Sequence, residues 1–285
     1  MAKVLRWAGY LVGTLVVIAI LAALFVQFSA SAKLSESFTP QPERLATPTP
    51  AQLADGPRQL KILGCVSCHG EGLRGRLMFD EPNVAQVWAP NLTLIAARAN
   101  DQQLAQAIRQ GIGYDGHPLL VMPSSQYSRL SDGEVSALIA AMRVQPRGGE
   151  QTPPVKVGPL GKLAIAAGKF RTQPQVVAAY AQNFPADLGP QFARGRHLAL
   201  TGCSECHGPS LTGGEPQPDL KAPDLAMVGA YDLPAFSKLM HTGVPADGRK
   251  LRLMDEVARN DFSHLTDEEL TALHAYLVER ARRAP

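Results

Sequence analysis

Cysteine is scarce in this chain, with four residues in 285, too few for a disulfide-dense scaffold. A strong charge imbalance is also missing. Lys and Arg number 28 against 25 Asp and Glu, and no basic stripe concentrates the small excess, so nucleic acid is not an expected partner. Aromatic residues are only 6% of the total, which implies modest cores. Disordered and collagen-like chains are excluded in turn, because 45% of residues are hydrophobic. Glycine (25) and proline (23) are plentiful and point to many turns and long loops.

Lys3 and Arg6 lead into an uncharged run that lasts until Lys33, with an apolar heart from Trp7 to Phe28. Its 22 residues would span about 33 Å as a helix, enough for a bilayer core of roughly 30 Å. Charge before the run and none just after it places the N-terminus in the cytoplasm and exports the rest. Trp7 and Tyr10 would sit near one membrane interface. Ala30-Ser31-Ala32 resembles a signal-peptide cleavage site, but a cleavable apolar region usually runs about 7–15 residues, and this run is longer. A retained anchor is therefore the expectation, and either reading delivers the chain to the same compartment. A buried core helix is a poor reading for a segment with no polar face.

Residues 33–53 are rich in Pro, Thr, Ser and Gln and read as a stiff, extended, unpacked tether. A second Pro/Gly-rich stretch begins at Pro146. The expected organisation is an anchor over 1–32, a linker over 33–53, one domain over 54–145, an interdomain segment over 146–185 and a second domain over 186–285.

The two domains are copies. Gly64-Cys65-Val66-Ser67-Cys68-His69-Gly70 matches Gly202-Cys203-Ser204-Glu205-Cys206-His207-Gly208. Pro90-Asn91-Leu92 matches Pro223-Asp224-Leu225, and the block from Gly111 to Met122 matches that from Gly243 to Met254. Leu130-Ser131-Asp132 matches Leu265-Thr266-Asp267. Four blocks in one order are a tandem duplication, with too few copies for a solenoid. The coarse structure is all-α. Ser131 with Glu134, Thr266 with Glu269, and Asn100 with Gln103 form capping boxes. Helical spacing follows at Val135, Leu138, Ile139 and Met142, and again at Leu270, Leu273 and Leu277. No alternating strand pattern stands out.

Both copies contain Cys-x-x-Cys-His, which uses all four cysteines and is the attachment signature of c-type haem. Two thiols three positions apart on a helical turn reach the two vinyl groups of one porphyrin, and the next residue aims its imidazole at the iron. A thiol–disulfide site is the first alternative. A histidine following two unrelated CxxC pairs by chance has odds of roughly 1 in 1,600, with His about one residue in forty. A zinc site would have to join halves 138 residues apart and would leave the repeated His unexplained. Two covalent haem c groups are therefore expected, on Cys65 and Cys68 with His69, and on Cys203 and Cys206 with His207.

Met122 and Met254 hold equivalent positions and are the candidate second axial ligands. Methionine with histidine raises the reduction potential and closes the iron. His241 is the rival in the second copy, while His117, His197, His264 and His274 read as solvated or structural. Met78, Met142, Met227 and Met240 lack repeat partners and read as core filling. The carbonyls of Pro90 and Pro223 are candidates to receive the second ring N–H of each axial histidine, the alternative being a simple loop bend. Tyr276 is expected to pack near Gly195, with Ala141 in the matching place of the first copy.

These motifs, over roughly two thirds of the chain, resemble the class I cytochrome c family in duplicate. The layout is similar to membrane-anchored dihaem cytochromes, and the stretches Ala89 to Thr93 and Gly111 to Pro123 are similar to cytochrome subunits of periplasmic dehydrogenases. The dihaem subunit of cbb3-type oxidases is the other relative. The resemblance implies an all-α fold, haem c, and an electron carrier at the periplasmic face of the inner membrane. Its implied partners are a dehydrogenase, an oxidase or a soluble cytochrome. A dihaem peroxidase with one open iron is the rival, opposed by a Met in both copies.

Overall fold

The computed structural model describes residues 1–217 and 219–283. The first helix, α1 (Ala2–Leu34), projects its apolar side chains outward along almost its whole length. Only its far end is covered, where Ala30 is fully buried.

The first helical unit contains α2 (Pro50–Ile62), α3 (Cys65–His69), α4 (Leu92–Ile95), α5 (Asp101–Gln110), α6 (Ser124–Tyr127) and α7 (Asp132–Arg143). A hairpin of β1 (Arg76–Glu81) and β2 (Ala85–Ala89) precedes α4, and β3 (Lys156–Val157) extends it. Next come α8 (Pro159–Ala166) and α9 (Gln173–Tyr180), in a stretch that carried no structural expectation. The second unit has α10 (Ala193–His207), the pair β4 (Gly214–Gln217) and β5 (Leu220–Ala222), α11 (Leu233–Thr242), α12 (Arg252–Asn260) and α13 (Asp267–Arg283).

The first core joins Leu60, Leu104, Ile108, Val135 and Leu138, and the second joins Phe236, Met240, Leu270, Leu273 and Leu277. Each fully buried Leu or Phe side chain contributes about 1.5–3 kcal/mol. In both units the first and last helices cross at a glycine. A Cβ at Gly195 would collide with the Ala272 carbonyl, and the buried Tyr276 lies against it, its hydroxyl donating to Ala186 O at 2.9 Å. In the first unit a Cβ at Gly56 would stand 3.0 Å from Ala141 Cβ. The capping boxes at Ser131 and Asn100 form, as does the reciprocal bonding of Thr266 and Glu269. Gly111 ends α5 with φ +70°, a left-handed conformation that suits glycine.

Three expectations need correction. Residues 33–53 are not a free tether. Helix α1 continues to Leu34, Thr49 caps α2 from Pro50, and the residues between lie on the first unit. Gln41 N–H donates to Gln110 Oε1 and Glu43 N–H to Gln102 Oε1, both at 2.9 Å. Glu43 also forms a buried 2.9 Å ion pair with Arg109, and Leu45 rests on the core. Extended backbone has free N–H groups, and the glutamines of α5 satisfy them.

The second correction is the strands. Leu77 faces Trp88 and Phe79 faces Val87, with a register irregularity between them and a turn at Pro82–Asn83. That irregularity breaks the two-residue period by which a strand is recognised. The third correction concerns methionines. Met142 and Met240 are core residues, but Met78 and Met227 are exposed. Met254 lies in the first turn of α12, whereas its counterpart Met122 lies outside any helix or strand.

Candidate functional site

Gly64, at φ +71°, separates α2 from α3 in the first copy, whereas the second motif continues α10 without a break. Cys65 and Cys68 share one helical turn, and His69 closes it with only 7% of its surface exposed. Its Nδ1–H donates to Pro90 O at 2.8 Å. The carbonyl can only accept, so the tautomer is set and Nε2 keeps its lone pair. Burial lowers the His69 pKa, against the Pro90 carbonyl, so the ring is neutral as a metal ligand must be.

Pro90 stands at the end of β2, and Asn91 pins the loop behind it. The Asn91 side chain is buried, accepts from Thr93 N–H at 3.1 Å and donates to Gly148 O at 2.8 Å. The second copy repeats the design. His207 Nδ1–H donates to Pro223 O at 2.8 Å, and Asp224 accepts from Ala226 N–H at 2.7 Å and from Arg280 at 2.8 Å.

A cavity of about 430 Å³ opens in the first unit, lined by Cys65, Cys68, His69, Trp88, Pro90 and Met122 among others. That volume lies in the usual range for cofactor sites, roughly 300–1,000 Å³. Trp88 Nε1 is buried on this wall with no hydrogen-bond partner among the described residues. Such a donor calls for an acceptor in the cavity, and a porphyrin carboxylate is one. The repeat does not mark Trp88, because the second copy has Lys221 at that position.

In the second unit, Met254 and Cys203 both pack on the second core. His241, the rival ligand, has Nε2 directed at Leu265 O at 3.3 Å, and His274 donates to Tyr231 O at 2.8 Å. No disulfide joins the four cysteines; Cys203 is buried and Cys65, Cys68 and Cys206 are half-buried. Burial pushes Cys65 and Cys203 up to about 12 and Cys206 up to about 11. Thiols whose pKa is raised do not suit disulfide exchange, which needs a thiolate. Among the described residues, no three His, Cys, Asp or Glu side chains cluster to hold an ion, as a shared zinc site would require.

The two units meet through the motifs themselves. Ser67, inside the first motif, donates its hydroxyl to Asp261 of the second unit. Glu205 N–H, inside the second motif, donates to Gln126 Oε1 of the first at 3.3 Å. Gln126 and Asp261 each stand four residues before Leu130 and Leu265, so the contacts are equivalent under the repeat. The capping glutamates behave alike. His197 Nε2–H donates to Glu134 at 2.8 Å, and Arg58 clamps Glu269 with bonds of 2.6 and 2.9 Å. Arg58 and His197 each follow by two residues the glycine of the helix crossing. The interface is therefore an isologous, pseudo-two-fold one within a single chain. Burial would raise Glu134, but the hydrogen bonds from His197 and Ser131 outweigh it and bring the carboxyl down to about 2.

Residues 51–140 match the family model for cytochrome c oxidase, cbb3-type, subunit III, and residues 192–281 match that for cytochrome c. The chain carries two tandem cytochrome c domains behind an apolar N-terminal helix; such domains imply covalently bound haem c and an electron-transfer function. It is also similar to the fructose dehydrogenase cytochrome subunit of Gluconobacter japonicus, 25% identical over 248 residues, which cover 75% of this chain. The chain spans about half the length of that relative (49%).

Proposed function

We propose that this chain is a membrane-anchored dihaem electron carrier. Its two domains would stand on the periplasmic face of the inner membrane and pass electrons between a dehydrogenase and a downstream redox protein. The observation that carries the reading is the doubled His–Pro carbonyl arrangement, at motifs that each bond to the other domain. Similarity to a dehydrogenase's cytochrome subunit supports the donor side.

Haem c supplies a one-electron couple between ferric and ferrous iron. Cys65 and Cys68 would bind one group and Cys203 and Cys206 the other. His69 and His207 would each present Nε2, held in orientation by Pro90 and Pro223. Met122 and Met254 would close the sixth positions, raising the potentials and shutting out small ligands. Leu94, Leu104 and Ile108 would give the first site an apolar wall against the porphyrin. The hydrogen bonds across the interface would hold the two redox sites beside each other. No substrate bond is made or broken in this reading.

Absorption spectra and a redox titration of the purified protein test it. Two low-spin haems are expected, each with a methionine-to-iron charge-transfer band when ferric and neither binding carbon monoxide when ferrous. A high-spin haem that turns over peroxide would replace the carrier with an enzyme.

A further inference from the structure

The stretch from Lys156 to Ala166 has no counterpart in the duplicated blocks, and nothing in the electron-transfer reading uses it. It packs along the far end of α1. Lys33 Nζ donates to Ile165 O at 2.9 Å and to Ala166 O at 3.2 Å, and Lys162 Nζ donates to Gln27 Oε1 at 2.8 Å. Ala30, between those ties, has no exposed surface. The pairings order the two helices, because position 27 meets 162 and position 33 meets 165 and 166. Helix α8 therefore runs in the same direction as α1, and its N-terminus points back toward the apolar run that ends at Phe28.

That end of α8 carries apolar surface that none of the described residues covers. Leu160 is 56% exposed and Leu163 is 52% exposed, three residues apart on one helical face. The β1–β2 hairpin tip is fastened beside them. Gly158 N–H donates to Val84 O at 2.9 Å and Leu160 N–H to Asn83 O at 2.8 Å. A side chain at Gly161 would collide with the Val84 carbonyl, so the fit is close. The tip itself, Pro82-Asn83-Val84, is uncharged, and Val84 is 40% exposed. Leu160 lies two residues, about 3 Å of helix, on the bilayer side of the Lys162–Gln27 tie.

We propose that the N-terminal turn of α8 and the hairpin tip form a lipid-contact surface that seats the first haem domain on the outer leaflet beside its own anchor. This rests on α1 being a retained membrane span. The contact is with the bilayer's interfacial region and not with an anionic headgroup. The exposed side chains are apolar, and Lys156 and Lys162 nearby are offset by Asp80 and Glu81 on β1. The same hairpin ends at Pro90, which holds His69, so the surface would fix the orientation of the first redox site relative to the membrane.

Photo-crosslinking tests the proposal on the full chain with its haem. The protein is placed in phosphatidylcholine vesicles containing a diazirine-labelled acyl chain, and adducts are mapped by mass spectrometry. Adducts are expected within 7–28 and also at 82–84 and 159–163. In the double variant Leu160→Asp, Leu163→Asp, those at 159–163 should fall severalfold while those within 7–28 and the haem spectrum stay unchanged. Adducts confined to 7–28 would overturn the proposal and leave the anchor standing. No adducts in 7–28 would remove the anchor itself, and the proposal with it.

Discussion

Ser67, between the two cysteines of the first motif, gives its hydroxyl hydrogen to Asp261 of the other domain. Its counterpart under the repeat is Glu205 N–H on Gln126. One polar residue thus ties each attachment motif to the neighbouring domain, and the Asp261 bond makes that tie sensitive to pH.

Burial pushes the Asp261 carboxyl up to about 6 from 3.8, with the Ser67 bond pulling the other way. Between those values the folded protein holds a proton that the unfolded chain has released, so this group's contribution to stability falls as pH rises from about 4 to 6. Asp261→Asn keeps an acceptor for Ser67 and cannot ionise. Thermal melts at pH 4 to 7.5 should show the variant gaining on the wild type as pH rises, with little difference at pH 4. Parallel curves would contradict the assignment.

Arg58→Ala removes the clamp on Glu269, whose side chain is only 4% exposed. Arg194 remains at 3.6 Å, and Arg58 is itself partly exposed, so the expected cost is about 1–3 kcal/mol, below that of a fully buried pair. Arg58→Lys should recover little of this, because an ammonium cannot reproduce the two-pronged contact. Denaturant titration measures both variants.

Met122→Ala should open the first iron to carbon monoxide and lower its potential by on the order of 0.1 V, a fraction of the roughly 0.8 V that axial ligands span. The second haem should be nearly unchanged. If both keep their spectra and potentials, Met122 is not a ligand.

Gly195→Ala should cost about 2–3 kcal/mol, because the added methyl meets a backbone carbonyl that cannot move aside. Gly56→Ala should cost less, since its neighbours stand at 3.0 and 3.1 Å. Equal losses on chemical denaturation would mean that the two helix crossings are not as different as they stand.

The attachment motifs are legible in the sequence because their spacing is local: three positions bring two thiols onto one helical turn in any surroundings. The duplication marks Pro90, Pro223, Met122 and Met254 by pairing them, and the capping boxes mark where α5, α7 and α13 begin. What is not legible depends on distant residues. Trp88 has no repeat partner, and its role shows only when the cavity around it is seen. Capping-box Glu134 and Glu269 look satisfied within their own helices, so nothing local signals that His197 and Arg58 reach them from the other domain. The proline-rich composition of 33–53 describes its extended backbone but not the glutamines of α5 on which it lies.

The most direct test of the account is the intact mass of the mature chain after acid–acetone extraction, which strips haem that is not covalently bound. The account predicts a polypeptide heavier by two haem groups, with tryptic peptides carrying one on Cys65 and Cys68 and one on Cys203 and Cys206. A chain that loses its colour and returns to the bare polypeptide mass would contradict it.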